Sequence, residues 1–105
     1  MDYLTQVIGV DQGDFQFKGK TGLIVDVQGT LANNKFLKKQ IIAIRADMDA
    51  LATKEQNPHL PYQSQNEYGH LCGHDGHIAA LLGAITLFNA NKHLFEKNQV
   101  VRLIF

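Results

Sequence analysis

Residues 76–105, GHIAALLGAITLFNANKHLFEKNQVVRLIF, decide the architecture. The first part has helical spacing. Ile78, Leu81, Leu82, Ile85 and Phe88 form one apolar stripe, and Ala80, Ala84 and Leu87 carry it round the cylinder. A helix apolar on most sides predicts burial between a sheet and a second layer. Asp75 stands ahead of it as an N-cap candidate, because its carboxylate can accept first-turn N–H bonds. Asn89, Asn91 and Lys92 read as its stop. The last residues, QVVRLIF over 99–105, switch to β-branched and apolar content and predict a strand.

Upstream, QIIAIRA over 40–46 is a nearly continuous apolar run, the pattern of a buried strand. Strand 40–46, helix 76–90 and strand 99–105 then form a βαβ unit, whose crossover joins parallel strands. In TGLIVDVQG, residues 21–29, Leu23, Val25 and Val27 alternate with Ile24 and Asp26, so a further strand is predicted. The polar connection LANNKFLKK, with Asn33 and Asn34 at its tip, makes strands 21–29 and 40–46 candidate antiparallel neighbours. YLTQVI, residues 3–8, reads as a helix end closed by Gly9. Residues 52–71 form a long polar stretch holding both prolines, Pro58 and Pro61. A connection of that length in a compact domain is usually functional or disordered. The expected fold class is α/β: one domain, a short sheet near 21–29, 40–46 and 99–105, and a buried helix near 76–90.

Composition narrows the function. At 105 residues and 45% hydrophobic content, the chain can bury one small core. Ten basic and ten acidic residues cancel, which argues against a nucleic-acid or anionic-membrane partner. No apolar run approaches the ~20 residues of a membrane span. The N-terminus lacks the pattern of a signal peptide. The single cysteine fits a reducing compartment, so a cytoplasmic location is expected.

Chemistry concentrates in YGHLCGHDGH, residues 68–77, which holds His70, Cys72, His74, Asp75 and His77. In open α/β sheets, ligands bind beyond the carboxyl ends of the strands. Asp47 and Asp49 follow strand 40–46 at such an end, and the loop should bring the histidine cluster to the same edge. Thiolate and imidazole are ligands for zinc and other first-row metals. Cys72 and His74, two apart, could serve one ion, with Gly73 allowing close backbone approach. The paired spacing of a structural zinc site is missing, so a catalytic site completed by other ligands fits better. Asp49 could then orient a ligating imidazole. Plain readings stand beside these: Asp47 and Asp49 as turn residues, Asp75 as a cap, Cys72 as a small apolar residue. A Cys–His nucleophilic pair is a competing enzymatic reading.

Four blocks, TGLIVDVQG, IAIRADMDAL, HLCGHDGHIAALLGA and VRLIF, resemble in order and spacing the front part of the aminoacylase-like metallopeptidases. The branch most resembled holds hippurate hydrolase, N-acetyldiaminopimelate deacetylase and the indole-acetyl-amino-acid hydrolases. The resemblance implies an α/β-sandwich catalytic domain with an inserted dimerising domain. It also implies a two-metal amidohydrolase, using manganese or zinc, that cleaves N-acyl amino acids or small peptides. By that likeness Cys72 and His74 are metal ligands and Asp49 is the active-site aspartate. Asp47 takes a position that is a metal-binding histidine in distant relatives, and His70 and His77 support the site. The implied reaction is attack of metal-activated water on an amide carbonyl, with a carboxylate as general base.

In such families that base lies in a Pro-Ala-Glu-Glu motif following the strand that matches VRLIF. The expectation is therefore a partial catalytic domain over residues 1–105, inactive by itself, with strand 99–105 at a sheet edge. The alternative is a non-catalytic remnant domain that binds a metal or a protein partner.

Overall fold

The computed structural model describes residues 3–11, 14–32 and 38–105; the Asn33–Asn34 tip falls outside them. The described elements run β1 (Phe15–Lys18), β2 (Gly22–Gln28), β3 (Gln40–Arg45), α1 (His74–Ala90) and β4 (Gln99–Ile104). A π-helical segment, Tyr3–Val7, precedes them, and a 3-10 turn, Lys92–Leu94, links α1 to β4.

The sheet order is β1-β2-β4-β3. β3 and β4 are parallel, joined through α1, so the βαβ unit forms as expected. β2 pairs antiparallel with β4, not with β3, which corrects the expected hairpin of strands 21–29 and 40–46. β4 stands between them because its apolar residues have partners on both sides: Leu103 opposes Val25 of β2 and Ile44 of β3, and Val101 opposes Val27 and Ile42. That also overturns the expected edge position of strand 99–105. The edges are β1 and β3. β1 was not anticipated, although Phe15 and Phe17 alternate with Gln16 and Lys18 in it. It forms a tight hairpin with β2 through Gly19, which has φ +63°.

The core lies between the sheet and α1. Val25, Leu103 and Ile85 are wholly buried, and Leu4, Val10, Val27, Ala46 and Leu81 join them. Burying a side chain of the size of Ile85 or Leu103 contributes about 1.5–3 kcal/mol. Two expectations of burial narrow. α1 buries Leu81 and Ile85, yet Leu87 on its far side is 67% exposed. The run in β3 is exposed along its length, with Ile42 at 69%. Among the described residues β3 has one strand neighbour, and α1 packs over β2 and β4 instead.

The ends of α1 are set locally. It starts at His74, earlier than the apolar stripe suggests, and its N-cap is Gly73, not Asp75. Asp75 falls in the first turn, where a carboxylate still suits the positive end of the helix. The asparagines do close it: Asn91 N–H reaches Leu87 O and Phe88 O, and Asn91 Nδ2 donates to Leu87 O at 2.8 Å. Asn89 Nδ2 donates to Ile8 O at 2.9 Å, fastening the N-terminal segment to the helix. Gly29, just past β2, cannot be larger, because a Cβ there would collide with the carbonyl oxygens of Phe95 and Glu96.

Candidate metal-facing site

The parallel pairing of β3 and β4 sends the chain from the carboxyl end of β3 to the start of α1. Asp49 lies four residues past the end of β3. His74 is the first residue of α1. The two meet: His74 Nδ1 is 2.9 Å from Asp49 Oδ1 and 3.2 Å from the Asp49 carbonyl oxygen. Both neighbours are acceptors, so Nδ1 must carry the hydrogen. In a neutral imidazole that leaves Nε2 with its lone pair, the form in which histidine ligates a metal. A carboxylate on the other ring nitrogen also fixes the ring's orientation. Only about a fifth of the His74 side chain is exposed (21%), whereas Asp49 is 69% exposed.

Gly73 sets the path of the chain between Cys72 and this pair. Its φ of +99° and ψ of 5° turn the chain sharply between Cys72 and His74. The Cys72 thiol is free and exposed. The His77 ring stacks against His74 one turn along, with centroids 5.7 Å apart and planes at 29°. His77 also lines a 410 Å³ cavity against Ile44, Arg45 and Ala46. Asp47 goes elsewhere: its carboxylate is paired with the Arg45 guanidinium on the surface. His70 lines a separate 430 Å³ cavity with Glu55, Tyr62, Tyr68 and Asp75, which flanks the site on the side of Ala50.

A divalent ion suits these donors in kind and not in number. A lone-pair imidazole and a thiol are the right chemistry for zinc or its neighbours. Among the described residues, no three His, Cys, Asp or Glu side chains come together in a position to hold an ion. What the structure holds is one imidazole, His74, oriented by the Asp49 carboxylate, with an exposed thiol two residues before it. Sequence reasoning located Asp49 and His74 together and missed Glu55, whose carboxylate organises the loop ahead of His70. No residue spacing marks Glu55, because its partners are a backbone N–H and an amide set by the loop's own path.

Comparison with known proteins bears on the family and the fold. The model of Peptidase family M20/M25/M40 matches residues 43–105, from within β3 to the end of β4. N-acetyl-L-cysteine deacetylase of Bacillus subtilis is 40% identical over 87 residues, which is 82% of this chain and 19% of that protein. Thermostable carboxypeptidase 1 of Saccharolobus solfataricus is 41% identical over 85 residues, 80% of this chain and 20% of that one. N-acetyldiaminopimelate deacetylase of a Geobacillus strain is 41% identical over 70 residues, covering 66% and 17%. The chain thus spans about a fifth of the length of these curated relatives. The crystal structure of the Bacillus subtilis YXEP protein, described as a dinuclear metal binding peptidase from the M20 family, superposes with a TM-score of 0.68 at 32% identity. The overlap covers 96% of this chain and 28% of that one, so the four-stranded sheet and helix are the fold of part of an M20 peptidase. On the family match and the superposition together, this chain belongs to peptidase family M20/M25/M40.

Proposed function

We propose that these residues form the metal-facing front part of the catalytic domain of a hydrolase that cleaves the amide bond of N-acyl amino acids or small peptides. The observation that carries this is the Asp49–His74 contact at Nδ1, which leaves the lone pair of a neutral His74 on Nε2. The names of the relatives, deacetylases of N-acetylated amino acids and carboxypeptidases, supply the substrate class. Cys72 and His74 would hold the ion or ions, two of them by analogy with the dinuclear YXEP protein and manganese or zinc by donor type. A bound divalent ion would supply Lewis acidity toward the amide carbonyl. Asp49 accepts the Nδ1–H of His74 and so holds its tautomer, a positioning task. No carboxylate in the partial set is placed as general base, so the 105 residues alone are expected to bind metal weakly and to turn nothing over. Homodimerisation belongs to the longer relatives' architecture in this reading. Among the described residues no helix is long and apolar enough to cross a membrane. We read the working location as the cytoplasm on a different ground, the single cysteine, which suits a reducing compartment.

Calorimetric titration with Zn²⁺ and Mn²⁺ tests the assignment. His74→Ala and Cys72→Ala should abolish most of the binding, and Asp49→Asn should weaken it about 10–100-fold, the usual cost of losing a partner that orients a ligand. Binding indifferent to Cys72→Ala and His74→Ala sinks the assignment. Robust, chelator-sensitive hydrolysis of N-acetyl amino acids by these residues alone would overturn the expectation of inactivity.

A further inference from the structure

The excursion between β3 and α1 is an organised lobe. Leu51 and Gly69 close it through two backbone hydrogen bonds, Leu51 N–H to Gly69 O at 2.9 Å and Gly69 N–H to Leu51 O at 3.0 Å. Inside, Glu55 is the hub. Its Oε2 accepts the backbone N–H of Ser64 at 2.9 Å, and its Oε1 accepts from Asn57 Nδ2 at 3.1 Å. Its own carbonyl oxygen accepts from Gln63 Nε2 at 2.8 Å. Ser64 Oγ continues to Tyr68 O at 2.5 Å, one residue before the closing Gly69. The limbs are in contact there, since a Cβ on Gly69 would stand 3.2 Å from Thr53 O and 3.4 Å from Glu55 Cβ. One carboxylate thus joins the outgoing limb to the limb that runs on through His70 and Cys72 to His74.

We propose that Glu55 is a positioning residue for the Asp49–His74 site: by clamping Ser64 and Asn57, its carboxylate fixes the register at which the returning limb delivers His70, Cys72 and His74 to the end of β3. Glu55 acts through Ser64, Tyr68 and Gly69, and no bond joins it to Asp49 or His74. Only the functional consequence rests on the proposed metal-facing role of Cys72 and His74. The Ser64 N–H, and then the Asn57 amide, hold the Glu55 carboxyl below the ordinary glutamate range. Asp75, facing it from the first turn of α1, opposes that shift, and His70 on the returning limb assists it. The clamp is therefore charged at neutral pH and is released as the pH falls through that depressed value.

Amide NMR on the whole chain, comparing wild type, Glu55→Gln and the exposed neighbour Gln56→Ala, tests this. In wild type, the Ser64, Gly69 and Cys72 amide signals should titrate together in acid, with a midpoint below the ordinary glutamate range. In Glu55→Gln that shared titration should vanish, and hydrogen exchange at Leu51 and Gly69 should speed up about tenfold. Zn²⁺ binding should weaken about tenfold, the low end for a group one step removed from a ligand. Gln56→Ala should match wild type throughout. The proposal is overturned if Ser64 titrates while Gly69 and Cys72 do not, or if exchange in Glu55→Gln stays within about twofold of wild type. Global unfolding of Glu55→Gln by circular dichroism overturns it as well, since Glu55 would then support the whole fold. If wild type fails to bind Zn²⁺, the metal-facing reading falls, while exchange and shifts still decide the role of Glu55.

Discussion

Replacing Gly73 by alanine should destabilise the chain, whereas replacing Gly83 by alanine should stabilise it. The two glycines lie ten residues apart, one at the cap of α1 and one inside it. A Cβ would meet nothing within 4 Å at either position, so sterics with neighbours drop out of both substitutions. What differs is the backbone. Gly73 has φ +99°, where an L side chain crowds its own peptide, at a cost of about 1–2 kcal/mol. Gly83 is helical, and alanine there gains about 0.5–1 kcal/mol, mainly by restricting the unfolded chain. The unfolded-state gain is common to both variants and cancels in their difference. That difference should be about 1–2 kcal/mol, with Gly73→Ala the less stable. Urea unfolding followed by circular dichroism measures it, and unchanged m-values would show that only stability moved. Equal midpoints, or Gly73→Ala the more stable, would refute the left-handed turn between Cys72 and His74. On the proposed metal-facing role the same variant should also lose Zn²⁺ affinity, because relaxing φ at residue 73 changes the direction in which Cys72 is presented ahead of His74.

Asp26→Asn removes the charge from a two-pronged pair in which Arg102 Nε and Nη2 meet the two carboxylate oxygens at 2.8 and 2.7 Å. Both side chains are partly shielded, so a loss of about 1–2 kcal/mol is expected in urea unfolding at pH 7. Those hydrogen bonds hold the Asp26 carboxyl below its ordinary range, against the opposing effect of burial. The pair's contribution is therefore full above the unfolded-state value and fades as pH falls through the lower folded one; wild type and Asp26→Asn should converge in strong acid. Ile85→Ala, at a wholly buried position, should cost about 2–5 kcal/mol, while Leu87→Ala on the exposed side of α1 should stay within about 0.5 kcal/mol in the same assay.

How much was legible depended on whether the deciding interaction was local. α1 and β4 could be read because Ile78 to Phe88 and Val100 to Ile104 carry their own periodicity. The asparagine stop at the end of α1 was readable for the same reason. The neighbour of β2 was not: Leu23, Val25 and Val27 offer an apolar face that would suit β3 as well as β4. The choice falls to β4, which fits a strand on each flank. The exposure of Ile41 and Ile42 follows from that order and from nothing in their own segment. The pairing of Asp49 with His74 was legible across the intervening loop because a βαβ unit obliges the strand end and the helix start to share an edge. The direction taken by Asp47 was not, since it depends on where the Arg45 guanidinium, two residues back, comes to lie.

The long connection between these two site residues raises an energetic question. A βα connection usually needs only 2–6 residues, and this one runs through residues 46–73. The closing bridge answers it. Once Leu51 and Gly69 pair, residues 52–68 become a side loop, and the working path from Asp49 to His74 shortens to the few residues on either side of the bridge. Loop closure costs only about 0.6 kcal/mol more per doubling of length, so closing this loop instead of a four-residue one costs roughly 1.2 kcal/mol extra. Two backbone hydrogen bonds, at about 0.5–1.5 kcal/mol each, offset that. They leave little surplus for holding the lobe in one conformation. Precision at His74 then has to come from inside the loop, and the Glu55 carboxylate, with Ser64 on one oxygen and Asn57 on the other, is placed to supply it.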